Sequence, residues 1–165
     1  MDAFAMPIAG ALSFRTAALL YPLITAAHVV EEWRSFPAWA GRFGSPRYSR
    51  REYVATHVAA LVVATSGALL VRLAPASWSA FVFFTAFFGP SIACNALFHI
   101  GGSLLTRTYC PGVVTSVVLY VPATVLLATA VLRAGLLRPT TLAVAFAVAA
   151  VFHVAEVGHN VFKRW

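Results

Sequence analysis

The chain holds only five acidic side chains, Asp2, Glu31, Glu32, Glu52 and Glu156, and three of them stand within a few positions of a histidine inside an apolar run. A charged side chain at the centre of a bilayer costs about 2.5–3.5 kcal/mol on insertion scales, so carboxylates placed there need a compensating partner. The candidates are a metal ion, a histidinium, a water-filled cavity or a proton on the carboxylate itself. Imidazole and carboxylate together are the donors from which helical bundles build metal centres.

Helical geometry gathers these residues into sets, because positions three and four apart share a face. His28, Glu31 and Glu32 form one set; His153, Glu156 and Asn160 form another, with His159 at i+3 from Glu156; Asn95 and His99 form a third, and His57 stands by itself. Counted along the chain, His28, His57, His99 and His153 each lie about six to ten residues from basic residues on the same side of the membrane. The expectation is a buried centre with His28, Glu31, Glu32, His57, His99, His153, Glu156 and His159 as metal ligands, and with Asn95 and Asn160 orienting them. Glu32 is also the candidate catalytic carboxylate. Tyr109 is the candidate proton donor, with an anchor at headgroup level as the plainer reading of that tyrosine. One histidine in a membrane helix serves more often as hydrogen-bonding glue between helices. Five histidines and three glutamates at one depth favour a metal site, with a proton relay as the competing use of the same groups.

Membrane helices are the elements expected to carry these groups. With 61% hydrophobic residues, 10% charged residues and a mean hydropathy of +0.83, the chain has more apolar surface than a water-soluble fold could cover. The predicted fold is all-α, a polytopic helical bundle in a single domain (residues 1–165) of about five transmembrane spans, at 14–33, 52–73, 78–105, 113–132 and 140–162. Pro22 predicts a kink in the first span and Gly89-Pro90 a break in the third. The apolar stretch from Ala3 to Leu12 is too short to span, contains Pro7, and reads as an interfacial lead-in rather than a cleavable signal.

The first connection carries Arg34, Arg42, Arg47, Arg50 and Arg51, and the excess of basic residues on that side puts it in the cytoplasm with the N-terminus outside. The net charge of +7 sits mainly at span ends, where it suits lipid headgroups, so nucleic-acid binding is not expected. Cys94 and Cys110 lack metal or disulfide spacing and read as free thiols. Ala55, Ala59, Gly67, Ala150 and Gly158 are small enough for close helix approach. Phe81, Phe83, Phe84, Phe87 and Phe88 are expected to face lipid, other helices or a substrate pocket.

HVVEEW at 28–33 and NALFHIGGSLLTRTYCPGVVTSVVLYVP at 95–122 together resemble the HXXEE family of small membrane proteins, whose motif is occupied here by His28, Glu31 and Glu32. The resemblance extends over nearly the whole chain and includes an N-x3-H segment, a Y-x-P-G turn and a threonine in the next helix. It implies a small integral membrane protein and supplies little chemistry, which leaves function to the residues.

Their first reading is an integral membrane metalloenzyme with two metal ions, iron before zinc. It would oxidise a lipophilic small molecule reached from the bilayer and draw on an electron donor. The clustered histidine boxes of membrane desaturases are absent, which weighs against an oxygenase. Zinc in the same ligands would instead serve hydrolysis, isomerisation or cyclisation of a lipid. A proton or metal-ion transporter is the third reading, and its difficulty is that the polar residues occupy one leaflet only. Membrane lipids are the expected surroundings, in a bacterial cytoplasmic membrane, the excess of eleven arginines over one lysine hinting at a GC-rich genome.

Overall fold

The computed structural model describes residues 13–163, so the Ala3–Leu12 lead-in lies outside the described residues. All regular structure among them is helical: α1 (Phe14–Ala17), α2 (Leu20–Glu32), α3 (Phe36–Phe43), α4 (Arg50–Leu73), α5 (Ala76–Thr106), α6 (Val113–Arg133) and α7 (Pro139–Asn160). The last four are long and apolar enough to cross a membrane, and they run close to the expected bounds.

The expected first span at 14–33 is not one continuous helix. Pro22 has no N–H to offer the Ala18 carbonyl, and its ring would collide with that carbonyl in an unbroken helix. The chain breaks at Ala18 and Leu19, the Ala18 carbonyl accepts from Tyr21 N at 3.1 Å instead, and α2 restarts at Leu20. The break expected at Gly89-Pro90 is absorbed differently. There α5 stays continuous and opens into wide π-helical turns at Phe83–Phe87 and Gly89–Cys94, which accommodate the missing N–H of Pro90. A third π-helical stretch, Ser116–Tyr120, precedes Pro122 in α6.

The arginine-rich connection contains α3, with Pro37 in its first turn. Phe36, Trp39 and Ala40 are buried on α3 and pack with Tyr48, Tyr53, Cys110 and Val161 into a small aromatic cluster. The larger core joins Phe14 and Tyr21 to Phe83, Phe84, Phe88 and Ile92 of α5 and Leu127 of α6. Phe83 and Phe88 stack at 5.3 Å with Phe84 edge-on to both, so most of the phenylalanine run is core rather than lining of a pocket. At the start of α4, Ser49 and Glu52 form a reciprocal capping box, and Glu52 also takes Lys163 Nζ at 2.7 Å. Cys94 and Cys110 are both free thiols.

Candidate metal centre

Glu32 closes α2 and its carboxylate is buried, 2% exposed. Its two oxygens meet three histidines from three helices. Oε2 lies 2.6 Å from His57 Nε2 of α4, while Oε1 lies 3.2 Å from His99 Nε2 of α5 and 3.7 Å from His28 Nε2, one turn back on α2. His28, Glu32 and His99, all buried, form a group that can hold a metal ion, with ligand atoms within 4.8 Å of one another. Ligands about 2.0–2.1 Å from a tetrahedral metal stand about 3.3 Å apart. The two distances from Oε1 bracket that separation.

The far edge of each ring decides what its Nε2 presents. His57 Nδ1 is 2.7 Å from the Tyr53 carbonyl, which only accepts, so Nδ1 carries a proton, and a further proton lies between Nε2 and Glu32. His28 Nδ1 is 2.7 Å from Thr115 Oγ1. That hydroxyl has one proton, and its other partners, Glu31 Oε2 and the Gly112 carbonyl, both require it, so toward His28 the oxygen accepts. The His99 ring bonds the Pro111 carbonyl, with Nδ1 3.5 Å from Cys110 Sγ, so its Nδ1 edge faces the Cys110–Gly112 turn. His28 and His99 thus turn unprotonated Nε2 atoms toward Glu32 Oε1, a buried oxygen with no hydrogen-bond donor of its own. Three electron-rich atoms facing one another in a buried site call for a cation. Asn95 Nδ2 donates a long hydrogen bond of 3.3 Å to the His28 Nε2 lone pair, while Glu32 Oε1 receives none.

Glu31 has a different task from its neighbour. Its Oε1 accepts from Gly112 N (3.0 Å), Val114 N (3.0 Å) and Tyr109 Oη (2.6 Å), and its Oε2 from Thr115 N (2.7 Å) and Thr115 Oγ1. It therefore caps the start of α6, where unpaired N–H groups and the helix dipole favour an anion, and it reaches the site only through Thr115. This departs from the expectation of Glu31 as a metal ligand. Tyr109 is correspondingly a clip on Glu31 rather than a group at the site. Its ring is 53% exposed, and partial burial together with the bond to Glu31 pushes the phenol up to about 12.

A family model described as "Protein of unknown function with HXXEE motif" matches residues 19–127, more than half of the chain. The chain belongs to the HXXEE family. No curated protein and no solved structure matches it. In this HXXEE protein the matched segment includes His28, Glu31, Glu32, His57, Asn95, His99 and the turn to Thr115. It stops before α7, so His153 and Glu156 lie outside it.

A cavity of about 90 Å³ opens beside Glu32 and is lined by His28, His57, Asn95 and His99 on one side and by His153, Glu156 and Asn160 of α7 on another. His153 is 8% exposed, neither ring nitrogen has a hydrogen-bond partner, and Nδ1 lies 3.8 Å from Glu156 Oε2. These residues share the cavity without joining the tight group around Glu32. His159 is exposed and does not line the cavity. Phe36 of α3 reaches it from above, 5.8 Å ring to ring from His99, and Tyr120 stacks on His28 at 4.4 Å.

The residues missing from the sequence-derived ligand set are those that hold the rings: Thr115, the Tyr53 and Pro111 carbonyls, and Phe36. Thr115 and the Y-x-P-G turn were visible signals, since a threonine just inside a helix and a glycine after proline mark a built turn. Thr115→Val removes the acceptor that fixes the His28 tautomer and is expected to lower metal affinity about 10–100-fold in a competition titration of the purified protein. Thr115→Ser should restore it. Unchanged affinity in the valine variant would remove the relay from Glu31 through Thr115 to His28 from the account.

Proposed function

We propose that this HXXEE protein is an integral membrane metalloenzyme that holds a metal ion at His28, Glu32 and His99 and transforms a lipophilic small molecule. The observation that carries the reading is Glu32 Oε1, buried without a donor and faced by two histidine nitrogens whose protons are committed elsewhere. Two imidazoles and one carboxylate with a side open to a cavity match catalytic rather than structural sites, which are closed by four protein ligands. The set suits zinc, as Lewis acid for hydrolysis or isomerisation, and equally non-haem iron(II) for oxidation. His57 holds the second carboxylate oxygen in place, and Glu156 and Asn160 supply proton-accepting and hydrogen-bonding groups on the opposite wall. The apolar spans that surround the site support a membrane location.

A second reading, two metal ions with iron as the first choice, is favoured by His153, whose two unpartnered nitrogens border the same cavity beside Glu156. Elemental analysis of protein purified in mild detergent, together with its visible spectrum, separates the readings. About one metal per chain supports the single site, and about two with a charge-transfer band support the iron pair. No metal, with none taken up on titration of zinc or iron(II), would overturn both.

A further inference from the structure

Beside the metal cavity lies a second hollow that the site itself does not use. A groove of about 570 Å³ runs between α4, α5 and α7, with apolar walls that include Ala59, Val63, Pro90 and Phe152. Thr56, Ala60, Ser91, Glu156 and Asn160 line both this groove and the metal cavity. The two spaces therefore adjoin across these side chains. Ala59 and Phe152 are exposed on the outer face of helices long enough to span a bilayer, which turns the mouth of the groove sideways toward the hydrocarbon layer. The small side chains at Ala55, Ala59 and Ala60, one turn apart or adjacent on α4, leave a gap where a larger residue would seal the bundle.

Charge and size limit what fits. Neither space is lined by lysine or arginine, the usual partners of an anionic phosphate or carboxylate head, and Glu156 borders both. An inner volume of about 90 Å³ excludes a sugar or phosphocholine head. The groove itself falls in the size range of small-molecule pockets. We infer that this groove is a lateral portal that admits an uncharged single-chain lipid with a small oxygen-bearing head, a long-chain alcohol or aldehyde, head first toward the Glu32 centre. The inference rests on the metalloenzyme reading for the metal that would repel a cationic head and meet the oxygen. The groove and its apolar walls stand apart from that reading.

The test is photocrosslinking of the wild-type protein in nanodiscs with a diazirine-bearing hexadecanol, followed by mass-spectrometric mapping and parallel metal analysis. Crosslinks are expected on the α4 and α7 walls, competed by hexadecanol and not by palmitate or hexadecyltrimethylammonium. Ala59→Trp fills the groove from an exposed position and should reduce crosslinking at least about tenfold with metal content unchanged, whereas Val62→Trp, on a lipid-facing position outside the groove, should leave both as they are. Crosslinking insensitive to Ala59→Trp, or competed equally by palmitate, would overturn the portal. Groove-specific labelling of a protein that takes up no metal would instead retain the portal and sink the metal reading.

Discussion

Glu32→Gln is expected to abolish stoichiometric metal binding while leaving the helical bundle intact. The substitution keeps the shape of the side chain and a hydrogen-bonding partner for His57, and removes only the negative charge between the three imidazoles. A neutral amide oxygen is a poor ligand, so metal affinity should fall more than about 100-fold, beyond the 10–100-fold expected from changes to the groups that orient the ligands, and metal content should drop below about a tenth of wild type. Thermal unfolding gives an independent reading. A metal present at 100 times its dissociation constant stabilises the wild type by about 2.7 kcal/mol, and the variant should show no such shift. Without metal the two should lie closer together, the variant being spared the burial of a carboxylate but losing the charge-assisted bond to His57. Were Glu32 merely hydrogen-bonding glue for His57, the wild type itself would show no metal-dependent shift. Full metal occupancy in the variant would remove Glu32 from the ligand set.

The motif's adjacent glutamates also mark where sequence reasoning stops. Spacing of three and four places His28, Glu31 and Glu32 on one face, which makes them look like equivalent ligands. At 100° per residue, i+3 falls about 60° to one side of His28 and i+4 about 40° to the other, so neighbouring carboxylates diverge by about 100°. That angle is enough to send Glu32 into the cavity and Glu31 to the α6 turn. The direction of the difference depends on the neighbouring helices, which periodicity does not contain. The grouping of His57 and His99 with Glu32 is legible because depth along each span can be counted from the basic residues at its end. The place of His159 is not, since it falls about 120° around α7 from His153, whereas Asn160, one residue nearer the helix end, still lines the cavity.

The fold shows the same division. The four long spans follow from unbroken apolar length, the strongest signal in such a chain. Pro22 signals a kink in the sequence and makes a break in the structure, because it falls where α1 is only four residues long and has too few bonds to hold through a missing one. The arginine-rich connection draws attention by its charge alone. Its FPAWAGRF segment nonetheless buries Phe36 and Trp39 beside the site and forms α3, and Pro37 with the spacing of its aromatics is the signal that marks it.

Gly112→Ala should be a strongly damaging conservative change at the site, and its cause can be separated into parts. Gly112 adopts φ +97°, where a side chain is strained, and a Cβ there would lie 2.6 Å from His28 Cε1 and 2.8 Å from His99 Cε1. Left-handed strain of about 1–2 kcal/mol adds to overpacking of about 1–3 kcal/mol, for an expected loss of about 2–5 kcal/mol in reversible denaturation. The methyl group also wedges apart the two rings that must converge on Glu32, so metal affinity should fall with stability. Gly135, at φ +64° with no atom within 4 Å of the place a Cβ would take, isolates the strain. Its alanine variant should lose only the first of the two terms and bind metal normally. Gly101, with negative φ and equally open space, should tolerate alanine within about 0.5 kcal/mol. If Gly112→Ala matched Gly135→Ala in both stability and metal affinity, the close approach of the turn to the two histidines would have no energetic weight. A larger loss confined to Gly112 would tie the Y-x-P-G turn directly to the geometry of the centre.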